Sequence, residues 1–269
     1  VGLIVENQRE KPAKNSIIIK SLKLVHKPHI LFEKTYNLVV ERFRRKYAAY
    51  YKPENAADFG EQGLKITPTK KCDILYTTGV NNINATEYID WLRNIKPDVI
   101  AVCGASIFKK EILDISANGV LNLHGGLSQK YRGLFTTEWA VYNEEPEYVG
   151  ATVHYISPGI DDGDVVYQGR PDIMPSDNPN SLYVKLVKLG IDMMERAIND
   201  IKEGTVKSSP LTEKGNLYLG KMFTPKLRDA TWKKIRQGVI PDYLKNKQAR
   251  DKKVLDSMIN NFSNAREAD

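Results

Sequence analysis

Asn122 and His124 stand two residues apart at the end of an apolar run, immediately before Gly125 and Gly126. On an extended strand such a spacing sends both side chains to one face. An amide donor beside an imidazole is chemically suggestive. The amide can hydrogen-bond an oxygen as negative charge develops on it, and the imidazole can take or give a proton near neutral pH. The two glycines remove side chains, permitting a tight turn and close backbone approach. By itself an Asn-x-His at a strand end is more often turn chemistry than catalysis. Thirty residues on, however, Thr152-Val153-His154 alternates as a strand. It runs into Ser157-Pro158-Gly159-Ile160-Asp161-Asp162-Gly163-Asp164, a loop dense in turn formers and carboxylates. Read plainly, that loop is an acidic hairpin. Its three aspartates crowd one turn without the spaced oxygen ligands or terminal Glu of a calcium loop, so no metal is expected.

Elements with the right spacing exist to position these groups. Val1 to Val5 reads as a strand, and His29 to Tyr51 as an amphipathic helix ending near Pro53 and Gly60. Cys72 to Tyr76, Val99 to Cys103 and Val120 to Leu123 read as short buried strands. They alternate with helices over Ala85 to Ile95 and Lys109 to Ser116. Such alternation predicts an α/β fold with a mainly parallel sheet covered by helices on both faces. In these sheets ligands sit beyond the carboxyl ends of the strands, where Asn122 and His124 fall. Ala151 to Ile156 and Val165 to Gln168 add two strands around the acidic turn. A long helix follows from Ser181 to Lys202, with Leu182, Leu186, Leu189, Met193 and Ala197 on one face and Gly204 as its stop.

The order of these parts is specific. Asn122-Leu-His-Gly-Gly-Leu-Ser-Gln-Lys-Tyr-Arg-Gly133, Val149-Gly-Ala-Thr-Val-His154 and Gly159-Ile-Asp-Asp-Gly163 together resemble the folate-dependent formyltransferase family, over about residues 73 to 200. The resemblance implies a Rossmann-like formyltransferase fold, with a further strand, Gly-rich loop and helix ahead of a strand like Val1 to Val5. It implies 10-formyltetrahydrofolate as cosubstrate. Asn122 would hold the formyl oxygen, His124 would assist proton transfer from the attacking amine, and Asp161, seven residues after His154, would orient His124 or relay the proton. His154 is expected to brace the Asp161 loop. Folate would meet Ser106, Ile107 and Phe108 on one side and Ser157 and Pro158 on the other. Gly125, Lys130, Tyr131 and Arg132 would face the acceptor. Gln129 replaces a common proline of the family, which predicts a looser turn.

The sequence from Gly125 to Gly133 looks most similar to the nucleotide-sugar N-formyltransferases, which formylate an amino deoxysugar on a GDP or dTDP carrier for surface polysaccharide. Methionyl-tRNA formyltransferase is the main alternative. A different-class reading is a non-catalytic nucleic-acid-binding protein using the tail. The formal charge of +7 is concentrated there: residues 201 to 269 hold 15 Lys and Arg against 8 Asp and Glu. Basic groups of that kind suit an anionic partner, or only a solvated face. The division expected is a catalytic domain over 1–203 and a basic, mostly helical extension over 204–269. The two cysteines have neither metal nor disulfide spacing, and no apolar stretch is long enough for a bilayer. A cytoplasmic, membrane-free enzyme is expected, with a nucleotide-sugar acceptor and no nucleic-acid partner; its oligomeric state stays open, a homodimer being one possibility.

Overall fold

The computed structural model describes residues 1–6, 69–79 and 81–262. The helix expected over His29 to Tyr51 and the loop marked by Pro53 and Gly60 lie outside the described residues. The chain divides into two compact units, Val1–Tyr88 and Ile89–Asp269. In the first, β1 (Gly2–Val5) pairs in parallel with β2 (Asp73–Tyr76). Helix α1 (Thr86–Ile95) begins at the end of that unit.

The second unit carries the residues of interest. Its central sheet has the order β3 (Ile100–Cys103), β4 (Val120–His124), β6 (Ala151–Tyr155), β7 (Val165–Gly169). β3 and β4 are parallel, with the short α2 (Lys110–Leu113) between them in sequence. β6 and β7 form a hairpin, and both of their pairings are antiparallel. Three of the five strand pairs among the described residues are parallel, as the α/β alternation predicts. Of the remaining two, β6–β7 follows from its short hairpin connection, which only antiparallel strands allow, while β6 joins β4 after the excursion through residues 125–150.

Helix α4 (Pro179–Glu203) packs Leu182, Leu186, Met193 and Ala197 into the core. Burial of each large side chain contributes about 1.5–3 kcal/mol. Asn178 caps its first turn by accepting from the backbone of Asn180 and Ser181, and Gly204 ends it in the left-handed conformation. Between β4 and β6 the chain forms β5 (Tyr131–Gly133), α3 (Thr136–Tyr142) and a 3-10 turn at Pro146–Tyr148.

Beyond Gly204 the chain adds β8 (Asn216–Tyr218), which pairs in parallel with β5, then α5 (Pro225–Arg236), α6 (Val239–Lys245) and α7 (Lys247–Leu255). Tyr218, Phe223, Val239, Ile240 and Tyr243 are buried in one core with Leu182 and Leu186. Trp139 stacks on Tyr218 at 4.4 Å between ring centroids. The helices of this segment thus lean on the sheet unit for their apolar faces. Further along, Phe262 N–H donates to the Gln168 carbonyl (2.7 Å) and Asn260 Nδ2 to that of Val165 (3.0 Å), covering the free edge of β7. No helix among the described residues is long and apolar enough to cross a membrane.

Candidate active site

β4 delivers Asn122 and His124 as their spacing predicts. Asn122 lies opposite His154 in the antiparallel β4–β6 register, so the two side chains are cross-strand neighbours. His154 Nδ1 lies 2.8 Å from the Tyr155 carbonyl. A carbonyl only accepts, so Nδ1 holds the proton and Nε2 is left as an acceptor. Asn122 Nδ2 supplies it with a hydrogen at 3.2 Å. The second Asn122 hydrogen points to Asp161 Oδ1 at 3.3 Å, a long and weak bond. His154 therefore fixes which way the Asn122 amide faces.

Asp161 reaches this face from the loop after β6. Its Oδ2 accepts the Gly133 N–H at 2.8 Å and lies 3.3 Å from His124 Nδ1, while Oδ1 lies 3.6 Å from His154 Nε2. Its backbone is left-handed, with φ of 50°, a conformation an aspartate tolerates better than most residues. Burial pushes the Asp161 carboxyl up, but His154 and His124, through their protonated forms, and the Gly133 N–H outweigh it and hold it well below the usual carboxylate range. Asp161 is ionised at neutral pH.

His124 is 5% exposed. Its Nε2 donates to the Tyr131 carbonyl at 2.9 Å, which leaves Nδ1 unprotonated and facing the Asp161 carboxylate. Burial lowers the proton affinity of His124 and outweighs the opposing pull of Asp161 and the Tyr131 carbonyl. A neutral imidazole thus waits with its lone pair against an anion. A proton arriving on Nδ1 converts that contact into a charge-assisted hydrogen bond. Gly126 makes the arrangement possible, because a Cβ there would lie 2.6 Å from His124 Nε2 and 2.7 Å from the Tyr131 carbonyl.

The residues expected to meet folate leave the sheet near this face. Cys103 pairs with Leu123, so residues 104–109 emerge from β3 level with His124. Ser106 and Phe108 are half-buried and Ile107 is 77% exposed. Ser157 is half-buried and Pro158 exposed. Among the described residues no group of three or more His, Cys, Asp or Glu side chains is arranged to hold a metal ion.

The residues expected to face the acceptor have partners within the protein. Gly125 is half-buried and its carbonyl accepts from the Thr136 hydroxyl. The Tyr131 side chain is 1% exposed and its hydroxyl donates to Glu145 at 2.6 Å. Lys130 Nζ donates to the same carboxylate at 3.0 Å and lies over the Tyr148 ring. Arg132 is turned onto the carbonyls of Gly215 and Ile160. Each of these three side chains thus has a partner within the protein, beside the acceptor-facing role that sequence reasoning expects of them. The turn around Gln129 is also firmer than expected. Lys130 and Tyr131 N–H both donate to the Leu127 carbonyl at 2.8 Å, and Gln129 itself bonds Gln168 and the Ser257 carbonyl. Sequence reasoning missed the Tyr131 carbonyl, the Gly133 N–H and Lys214, which pairs with Asp162. Backbone groups carry no side-chain signature, though Gly133 lay inside the motif.

The profile of the family described as formyl transferase matches residues 52–198. Among curated relatives, the methionyl-tRNA formyltransferase of Halothermothrix orenii is 29% identical over 185 residues, 66% of this chain and 58% of that enzyme. The methionyl-tRNA formyltransferase of Agathobacter rectalis is 31% identical over 151 residues, 55% of this chain and 48% of that enzyme. The chain thus spans about half the length of these relatives. Among solved structures, a sugar N-formyltransferase from Shewanella sp aligns over 87% of each chain with a TM-score of 0.49 and 14% identity. A likely sugar N-formyltransferase from Mycobacterium tuberculosis aligns over 62% of this chain and 70% of that one, with a TM-score of 0.48 and 20% identity.

Proposed function

Because this chain belongs to the formyl transferase family, we propose that it moves a formyl group from 10-formyltetrahydrofolate to a primary amine. The observation that carries this reading is the convergence of Asn122, His124 and Asp161, with 3.3 Å from Asn122 Nδ2 to Asp161 Oδ1 and from His124 Nδ1 to Asp161 Oδ2. Folate supplies an activated formyl group, and residues 106–108 with Ser157 and Pro158 would hold it. Asn122 releases its long bond to Asp161 and donates to the formyl oxygen as charge builds there. His124, neutral by burial, accepts the amine proton, directly or through Asp161 and a water. The Asp161 carboxylate then stabilises the imidazolium, and the proton passes on to the folate nitrogen as its bond to the formyl carbon breaks, releasing tetrahydrofolate. Held between His154 and Asp161, the Asn122 amide is oriented before substrate arrives, so little reorganisation is needed in the transition state.

For the acceptor we favour the amine of a nucleotide-linked amino deoxysugar, GDP- or dTDP-borne, in surface-polysaccharide synthesis. The support is the turn Gly125-Gly126-Leu127-Ser128 with Lys130-Tyr131-Arg132-Gly133. A second reading, initiator methionyl-tRNA, is favoured by the names of the curated relatives and by the basic C-terminal segment. The test is tetrahydrofolate release from 10-formyltetrahydrofolate across a panel of GDP- and dTDP-linked 3-amino and 4-amino sugars, glycinamide ribonucleotide and charged initiator tRNA. Turnover with one amino sugar supports the reading. Turnover with tRNA replaces the acceptor, and silence across the panel from folded protein removes the activity.

A further inference from the structure

Arg132 precedes the residue whose N–H binds Asp161, and its own side chain, 15% exposed, is committed to the segments around that aspartate. Nε donates to the Gly215 carbonyl at 2.9 Å and Nη1 to the Ile160 carbonyl at 3.1 Å, with Asp162 Oδ2 3.7 Å away. Arg132 therefore grips the chain on both sides of Asp161. Asp162 is also held by the Ser157 hydroxyl at 2.5 Å and by Lys214 Nζ at 2.8 Å. Lys214 is itself anchored, because Gly215 N–H donates to the Ser128 carbonyl and Asn216 N–H to that of Lys130. Between these grips Asp161 keeps a left-handed backbone, which persists only where surrounding structure imposes it.

We infer that Arg132 and Lys214 are positioning residues, a latch that ties the loop Ser157 to Asp162 to β5 and the C-terminal segment and so keeps the Asp161 carboxylate against His124. This rests on the reading of Asp161 and His124 as the reacting pair. The competing role for two such cations is to bind acceptor phosphates. The two roles differ in kinetics. A latch acts on the transition state, so its loss lowers kcat and spares the acceptor KM, whereas a lost phosphate contact raises KM.

They also differ at His124. The charged and titratable groups facing that imidazole are Asp161 from the loop, His154 from β6 and Arg132 from β5. Asp161 favours its protonated form, and the other two oppose it. Arg132→Lys keeps the positive charge but loses the planar fork that spans two carbonyls. Lys214→Met removes a positive charge, which on its own would raise the His124 titration point. A downward movement in the double variant therefore reports retreat of the Asp161 carboxylate.

The experiment is a histidine NMR titration of wild type, Asp161→Asn and the Arg132→Lys/Lys214→Met double variant, with His124 assigned by His124→Gln. Steady-state kinetics are taken alongside. The expected result is a lower His124 titration point in Asp161→Asn and a partial shift the same way in the double variant. The double variant should also show a kcat fall of about tenfold or more, the scale of a small misplacement, at constant acceptor KM. Lys214 is 56% exposed, so Lys214→Met alone folds normally and shows a smaller fall in kcat at constant acceptor KM. A His124 titration unchanged in either Asp161→Asn or the double variant overturns the inference, as does a raised acceptor KM at constant kcat. The titration needs no acceptor. Absence of formyl transfer from wild type would therefore count against the function reading, and the latch would still be decided by the titration.

Discussion

At His124, burial and charge act in opposite directions, and burial prevails. A base works when unprotonated, so a lowered proton affinity carries activity into more acidic solution. The acid limb of kcat/KM should therefore lie below 6.5, the ordinary histidine value. Asp161→Asn removes the carboxylate that favours the protonated form. Its residual activity should show a limb at still lower pH, with kcat down by about 10²–10⁴-fold; a limb at or above 6.5 would contradict this balance. Substitution of Asn122 by Ala should cost a similar factor, since it removes one preorganised donor. The pair Asn122 and His124 was legible in the sequence because strand periodicity alone puts both on one face. Asp161 was legible only through the motif, since nothing local says that a loop residue with φ of 50° folds back onto β4. The internal partners of Lys130 and Tyr131 were not legible. Glu145 meets them by tertiary packing across 14 or 15 residues, and an exposed or a buried lysine reads the same in a sequence.

Among the elements, β4 is fixed from both sides. β3 and β6 hold its register, and α4 presses on it where Gly190 meets Leu123, the residue between Asn122 and His124. A Cβ at Gly190 would lie 2.5 Å from Leu123 Cδ1. Gly190→Ala gains about 1 kcal/mol in helix propensity but overpacks the core at a cost of about 1–3 kcal/mol. The net expectation is a loss of stability by chemical denaturation, accompanied by lower kcat, because Leu123 moves its neighbours. Higher stability with full activity would show that the contact yields freely. Most of these elements followed from periodicity, including α4, whose apolar face the sequence marked residue by residue. β8 did not. Three residues, Asn216 to Tyr218, form a strand only because β5 offers a partner more than 80 residues earlier, and pairing at that distance leaves no local pattern.

Across the second unit, the basic C-terminal segment is part of the core as well as of the surface. Asp251 accepts from Tyr243, Arg170 and Lys247 at 2.6 to 2.7 Å, joining α6 and α7 to the end of β7. Asp251→Ala would leave Arg170, 10% exposed, without its carboxylate and should destabilise by about 3–5 kcal/mol. A thermal midpoint unchanged from wild type would refute this. The same carboxylates set the response to acid. Burial opposes ionisation of Asp161, Asp177 and Asp251, but their hydrogen-bonded and charged partners prevail and hold all three below the usual carboxylate value. Folded groups of lowered pKa give stability that is full above the unfolded value of about 4 and is lost as pH falls through the folded one. Thermal stability should therefore decline gently from pH 7 to 5, as the unfolded chain takes up the proton that buried His124 resists, and fall steeply below about 4 as the carboxylates are protonated. The measurement that bears most directly on the central claim is single-turnover release of tetrahydrofolate by wild type and His124→Ala, at matched folate occupancy and with an amine acceptor. The account predicts stoichiometric release from wild type and release slowed by several powers of ten in the variant, with folate affinity preserved. Release at near wild-type rate from His124→Ala would contradict it.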